Sequence, residues 1–195
     1  MLRSDLLSSL SNSGLKLEQL SSFQRILLTT DGTLTDILEA YVWEPIQIVK
    51  LMQEVVRVRQ GIPLLEVTAQ TEVLQREVLL RGARSATNYL HATSVLVLDR
   101  LDPALREQLM TTQEPLGKLM IQSRLETFRE IIKCTTEKHL DVGKVFGEPP
   151  DTGLISRTYR VFSQGRPFIL ITESFPNSYF PDQLPVYRGG PQWRD

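Results

Sequence analysis

Cysteine and histidine are nearly absent from this chain of 195 residues, which holds one Cys, Cys134, and two His, His91 and His139. A zinc site of four Cys and His ligands cannot be built from them. Cys134 has no partner for an internal disulfide, which points to a reducing compartment. Its small thiol suits a core position better than a nucleophile's. An excess of one charge is missing too. Lys and Arg total 22 and Asp and Glu 23, a formal net charge of -1. Neither a nucleic-acid surface nor an acidic disordered tail is indicated. No run approaches the roughly 18 apolar residues of a membrane span. The opening MLRSDLLSSLSNSG is Ser-rich without a continuous apolar stretch, and Asp5 and its short length speak against a transit peptide. A cytoplasmic protein is expected. The glycines form neither GxGxxG nor GxxxxGK[ST], which leaves out the two usual phosphate cradles. GxSxG is missing and no nucleophile accompanies either His, so both are assigned structural or surface roles.

What is there reads as one ordinary globule, with 41% hydrophobic and 23% charged residues. There is no repeat, charge run or linker, so residues 1–195 are expected to form a single domain. Its tail beyond residue 180, with Pro181, Pro185 and Pro191, is expected to be irregular. Leu17, Leu20, Phe23 and Leu27 have helical spacing, and Thr30-Asp31-Gly32 ends that helix. A second helix starts near Thr33 or Thr35 with a threonine cap. Strands are expected over 45–59, 64–81 and 85–99, with turn signals at Gln60–Pro63 and Gly82. Asp102-Pro103 opens a helix, and Pro115-Leu116-Gly117 another short one. Residues 124–135 read equally as helix or strand. Residues 155–163 and 167–175 read as a hairpin about Gln164-Gly165-Arg166. Short turns between neighbouring strands argue for an antiparallel sheet covered by helices, an α+β domain.

Side chains alternate sides along a strand. In VLQREVLL, Arg76 shares a face with Leu74, Val78 and Leu80. In FILITESF, Glu173 shares a face with Ile169, Ile171 and Phe175. A buried unpaired charge costs several kcal/mol and needs a partner or a ligand. Three readings stay open. Arg76 and Glu173 could pair with each other, their rows could face solvent or a strand edge, or the two could face opposite ends of one apolar cavity. The last would suit a small ring with a carboxylate at one end and a hydroxyl at the other. Glu77, Arg81 and Arg84 read as solvated strand charges.

Four segments carry a likeness: LLTTDGTLTDIL at 27–38, LQREVLL at 74–80, EPLGKLM at 114–120 and SRTYRVFSQGRPFILITESFP at 156–176. In their order and spacing they resemble the chorismate lyase (4-hydroxybenzoate synthase) family, in particular its cyanobacterial and plastid branch, over residues 17–180. The resemblance implies one antiparallel sheet of about six strands with helices and helical flaps covering one face, and resolves 127–135 as a strand. It places Arg76 on a ring carboxylate and Glu173 at the ring hydroxyl. The main-chain N–H groups of Leu34 and Leu116, in the two flaps, help hold the carboxylate. Position 34 is commonly Met in the bacterial enzymes, but only its backbone donor is needed.

The implied reaction eliminates pyruvate from chorismate to give 4-hydroxybenzoate, for quinone and, by the cyanobacterial likeness, plastoquinone synthesis. Aromatisation drives it without a redox step, so no cofactor or metal is expected. Desolvation in its apolar row would raise the pKa of Glu173. Protonated, it could bond the ring hydroxyl or assist the departing ether oxygen; ionised, it could accept the ring hydrogen. A third route passes that hydrogen directly to the enolpyruvyl methylene, with the protein holding the reactive conformer. The group for the enolpyruvyl carboxylate is unidentified, with Arg160 and Lys118 as candidates better suited to the surface. The competing reading is a non-catalytic sensor domain of the same fold, which in regulators follows a winged-helix DNA-binding segment. Only a short Ser-rich stretch precedes Leu17 here. A structural protein in which Arg76 and Glu173 merely pair is a further reading. No nucleic-acid partner is expected, and a monomer is favoured.

Overall fold

The structure, a computed structural model, describes residues 15, 17–112, 114–138, 140–149 and 152–182. His139 and the tail from 183 lie outside the described residues, and with them the surface role expected for His139 and most of the irregular tail.

The single helix expected through Leu17, Leu20, Phe23 and Leu27 divides in two, because Ser21 starts a new cap. A 3₁₀ turn at Leu17–Gln19 is followed by α1, Ser22–Thr29. Ser21 Oγ accepts from the Gln24 N–H at 3.1 Å, and Gln24 Oε1 accepts from the Ser21 N–H at 2.9 Å, a reciprocal capping box. The second helix, α2, runs Leu34–Val42. Thr33 stands at its cap position, but the hydroxyl makes no capping bond.

Strands β1 (Ile46–Arg57), β2 (Glu72–Gly82) and β3 (Asn88–Val97) follow. The strand expected from residue 64 begins only at Glu72. The segment before it forms a 3₁₀ turn at Pro63–Leu65, and Leu65 and Val67 are spent packing against Val97 on the outer face of the sheet. Helix α3 (Pro103–Thr111) is capped by Asp102, whose Oδ1 accepts from the Ala104 N–H at 2.9 Å. Helix α4 is Leu116–Gln122. The ambiguous segment is a strand, β4 (Phe128–Lys138). A short helix α5 (Leu140–Val145) leads to β5 (Gly153–Ser163) and β6 (Arg166–Pro176). The β5–β6 turn puts Gln164 at φ 51 and Gly165 at φ 74. Two positive φ values match the right-handed strand twist, and glycine takes the second without strain.

The strands form one antiparallel sheet in the order β1-β2-β3-β6-β5-β4. It is therefore two three-stranded meanders joined along β3 and β6. The α+β expectation of about six strands with helices over one face holds. On that face Leu74, Leu80, Leu96 and Ile169 share a core with Leu27, Leu38, Leu105 and Leu119. Cys134 is fully buried in it, as its composition suggested. The outer face is more polar. Ser156 and Ser174 hydroxyls meet at 2.7 Å, and buried His91 bonds Glu77 at 2.8 Å, a structural role.

Candidate active site

The register places the charged side chains. Across the sheet Arg76 pairs with Ser94, Ser94 with Ile171 and Ile171 with Tyr159. The next row runs Val78, Ala92, Glu173, Arg157. Arg76 on β2 and Glu173 on β6 thus share the helix-covered face, two strands apart, which at ~4.8 Å per strand is about 10 Å across the sheet. Both line one cavity of about 90 Å³ with apolar walls that include Ile48, Val78, Met120 and Ile171.

Arg76 is 5% exposed, and its Nε donates to Gln53 Oε1 at 3.1 Å. No carboxylate among the described residues pairs with it. Burial draws its guanidinium below the ordinary Arg value, though it keeps its charge. A second cation stands nearby. Burial and then the Arg76 charge lower the Lys50 ammonium, which donates to the Thr112 carbonyl at 2.7 Å. This end of the cavity has positive charge in excess and the planar fork that fits a carboxylate.

The other end is different. Glu173, 8% exposed, accepts from Arg157 Nε at 2.7 Å on Oε2 and from the Tyr159 hydroxyl at 3.1 Å on Oε1. Glu173 is therefore not the isolated carboxyl its apolar row suggested, because β5 supplies two donors from the neighbouring strand. Arg157 is only 2% exposed at its side chain. Burial alone would lower its guanidinium, but Glu173 beside it outweighs that and holds it above its ordinary value. Burial, with the Glu173 charge added, pushes the Tyr159 phenol above its usual range, so it stays protonated.

Two flaps roof the cavity, residues 32–34 entering α2 and 115–117 entering α4. Leu34 and Leu116 are the first residues of their helices, where main-chain N–H groups have no intrahelical acceptor. The flaps touch each other: a Cβ on Gly117 would come within 2.8 Å of Thr33 Cγ2. Arginines from below fasten the first flap. Arg157 Nη1 donates to the Thr30 carbonyl and Arg129 Nη1 to the Gly32 carbonyl, each at 2.9 Å.

Arg76, Glu173, Leu34 and Leu116 thus all line one cavity. The pairing of Arg76 with Glu173 is not found. Arg160 and Lys118 do lie elsewhere, on ion pairs with Glu130 and Glu114. Sequence reasoning missed Gln53, Arg129, Arg157 and Tyr159. The alternation that exposed Arg76 would have exposed Arg157 and Tyr159, which share a face with Ile155 and Val161. Arg129 was hidden, because a register shift between Ile131 and Lys133 breaks the alternation of β4. Among the described residues no group of three His, Cys, Asp or Glu is placed to hold a metal ion, and no helix is long and apolar enough to cross a membrane.

Solved structures show the same fold. The effector domain of PhnF from Mycobacterium smegmatis matches with a TM-score of 0.59 at 17% identity, covering 76% of this chain and 90% of that one. The C-terminal domain of the histidine utilization repressor from Pseudomonas syringae matches at 0.54 and 12% identity, covering 77% and 99%. At such identities the likeness speaks for fold alone. Curated relatives are nearer in sequence. The chorismate pyruvate-lyase of Mycobacterium leprae is 33% identical over 165 residues, 81% of this chain and 76% of that protein. That of Mycobacterium tuberculosis is 31% identical over 177 residues, 86% of each. The model of the Rv2949c-like chorismate pyruvate-lyases matches residues 28–180. On a match of that extent, this chain belongs to the chorismate pyruvate-lyase family of lyases.

Proposed function

We propose that this protein eliminates pyruvate from chorismate and releases 4-hydroxybenzoate. The observation that carries the reading is the buried Arg76, which has no carboxylate partner among the described residues and faces a cavity closed at its far end by Glu173 and Tyr159. A ring carboxylate would take the Arg76 fork, with the Leu34 and Leu116 N–H groups completing its shell. The ring hydroxyl would then reach Glu173.

The reaction breaks the C–O bond between the ring and the enolpyruvyl oxygen and the C–H bond at the hydroxyl-bearing carbon. The C–H electrons enter the ring, which becomes aromatic, and the C–O electrons leave with the enolpyruvate. That fragment gains a proton at its methylene and becomes pyruvate. Glu173 accepts hydrogen bonds on both oxygens, which supports the acceptor role over that of a general acid. In this reading it holds the ring hydroxyl and faces the hydrogen to be lost. Direct transfer of that hydrogen to the methylene fits the same pose, with the protein fixing the conformer. The working unit in this reading is a monomer. The cyanobacterial likeness of the motifs supports use of the product as a quinone head-group precursor, plastoquinone in particular, and a cytoplasmic setting for its synthesis.

Purified protein incubated with chorismate should yield pyruvate and 4-hydroxybenzoate in equal amounts. The solved effector domains of the same fold favour one rival, a sensor. Tight 4-hydroxybenzoate binding without pyruvate would establish that rival instead.

A further inference from the structure

Arg76 is held from the edge strand β1, where Gln53 stands directly opposite it in the β1–β2 register. That pairing depends on a bulge. Up to Lys50 the strands pair so that Lys50 faces Val78; after one extra residue, Leu51, pairing resumes with Met52 opposite Glu77. Continued without the bulge, the first register would set Met52 opposite Arg76 and turn Gln53 to the outer face, opposite Gln75. The inserted residue re-aims one polar side chain at Arg76. Gln53 Oε1 accepts from Arg76 Nε at 3.1 Å, and Gln53 Nε2 donates to the Leu109 carbonyl at 3.4 Å, near the C-terminal end of α3. Only an amide serves both, since the guanidinium can only donate and the carbonyl can only accept. The acceptor so placed is neutral and takes the donor nearest the backbone. The two Nη groups at the tip have no partner among the described residues, and Arg76 lines the cavity. The neighbouring Lys50 ammonium is drawn off to the Thr112 carbonyl at the same helix end.

Resting on the lyase reading, we infer that Gln53 is a positioning residue, which fixes the direction of the Arg76 fork without neutralising it and so reserves the guanidinium charge for the carboxylate of the ligand. A carboxylate in the place of Gln53 would supply that counter-charge permanently and compete with the ligand. An apolar side chain there would leave Nε buried and unpaired, and the fork free to turn.

The test compares 4-hydroxybenzoate with 4-hydroxybenzamide, which keeps the ring and the hydroxyl but replaces the carboxylate by a neutral amide. Isothermal titration calorimetry gives the ratio of the two dissociation constants in each protein. The parent should favour the carboxylate about tenfold or more, as a charge-assisted bond implies. In Gln53→Glu the two ligands should come within about threefold of each other, because Arg76 then has a fixed counter-charge. In Gln53→Met the preference should fall by about threefold or more, since the fork is no longer aimed. The ratio is taken within one protein, so damage to folding or to the cavity walls weakens both ligands alike and leaves it unmoved. An unchanged ratio in either variant, or loss of both ligands together, would make Gln53 a packing residue and overturn the inference, as would a parent with no preference for the carboxylate. The lyase reading fails separately, if the parent binds 4-hydroxybenzoate but makes no pyruvate from chorismate; the ratio then still decides the role of Gln53.

Discussion

Replacing Glu173 with Gln should damage the protein in two separable ways. Arg157 is 2% exposed at its side chain and has Glu173 as its carboxylate, Nε to Oε2 at 2.7 Å. The Thr30 carbonyl takes Nη1 but carries no charge. The amide introduced by Glu173→Gln would keep the shape and one acceptor while leaving the guanidinium without a counter-charge. Breaking a buried pair from one side costs roughly 3–5 kcal/mol, and the retained acceptor argues for the low end, about 3 kcal/mol. For a chain of this size that is about 6–12 °C in Tm. Tyr159 adds to the loss, because its hydroxyl would share a single acceptor with Arg157. Removing both charges should reverse most of this, since a buried pair replaced by apolar groups of similar volume is often neutral or better. The double variant Arg157→Met with Glu173→Gln should therefore melt within about 3 °C of the parent and still make no pyruvate. Calorimetry and a coupled pyruvate assay at about 20 °C, below every transition expected of such a domain, read the two effects apart. A Glu173→Gln variant that melts with the parent refutes the counter-charge. A stable double variant with parental kcat removes Glu173 from the chemistry.

Arg76→Ala should abolish both 4-hydroxybenzoate binding and turnover, because the remaining donors near that end are neutral N–H groups and an engaged Lys50; calorimetric titration and pyruvate release check this, and parental rates would defeat the anchor. Gly117→Ala places a methyl 2.8 Å from Thr33 Cγ2, so the flaps must part or Thr33 must turn, and stopped-flow release of 4-hydroxybenzoate should quicken severalfold with little change in Tm. Glu44 gives a pH test away from the cavity. Burial alone would raise its carboxyl, but bonds from Ser85, Arg84 and Tyr89 hold it below the ordinary value. Its contribution is then fully present above the unfolded value of about 4.3 and is lost as pH falls through the lower folded value. Glu44→Gln should cost about 1–3 kcal/mol in urea unfolding at about pH 7, and the gap should close below about pH 4; a gap that widens in acid would reverse the assignment.

The elements legible in the sequence were those whose signal is local. Asp102-Pro103 announced α3, Gln164-Gly165 announced the β5–β6 turn, and strand alternation put Arg76 and Glu173 each in an apolar row, which in the structure is the core face. What escaped depends on contacts distant in sequence. Residues 64–67 look like the start of a strand, yet Leu65 and Val67 instead close the outer face over Val97. Thr33 has the chemistry of a cap but makes none, since its methyl is packed against Gly117 of the other flap. The hairpin signal already set β5 beside β6, but the partner of Glu173 follows only from the register that pairs Arg157 with it. A two-residue alternation gives the face of a charge but not its neighbour on the next strand.

The cavity is small for its proposed guest: about 90 Å³, below the roughly 150 Å³ of a cavity that admits benzene. Its floor cannot yield, because the distance from Arg76 to Glu173 is set by hydrogen-bonded strands on either side of the β3–β6 seam. The sheet therefore acts as a gauge of guest length, and only the roof can adapt. Molecules with the right end groups but one bond too long should be refused however freely the roof opens, while bulk added to the ring's upper side should be tolerated.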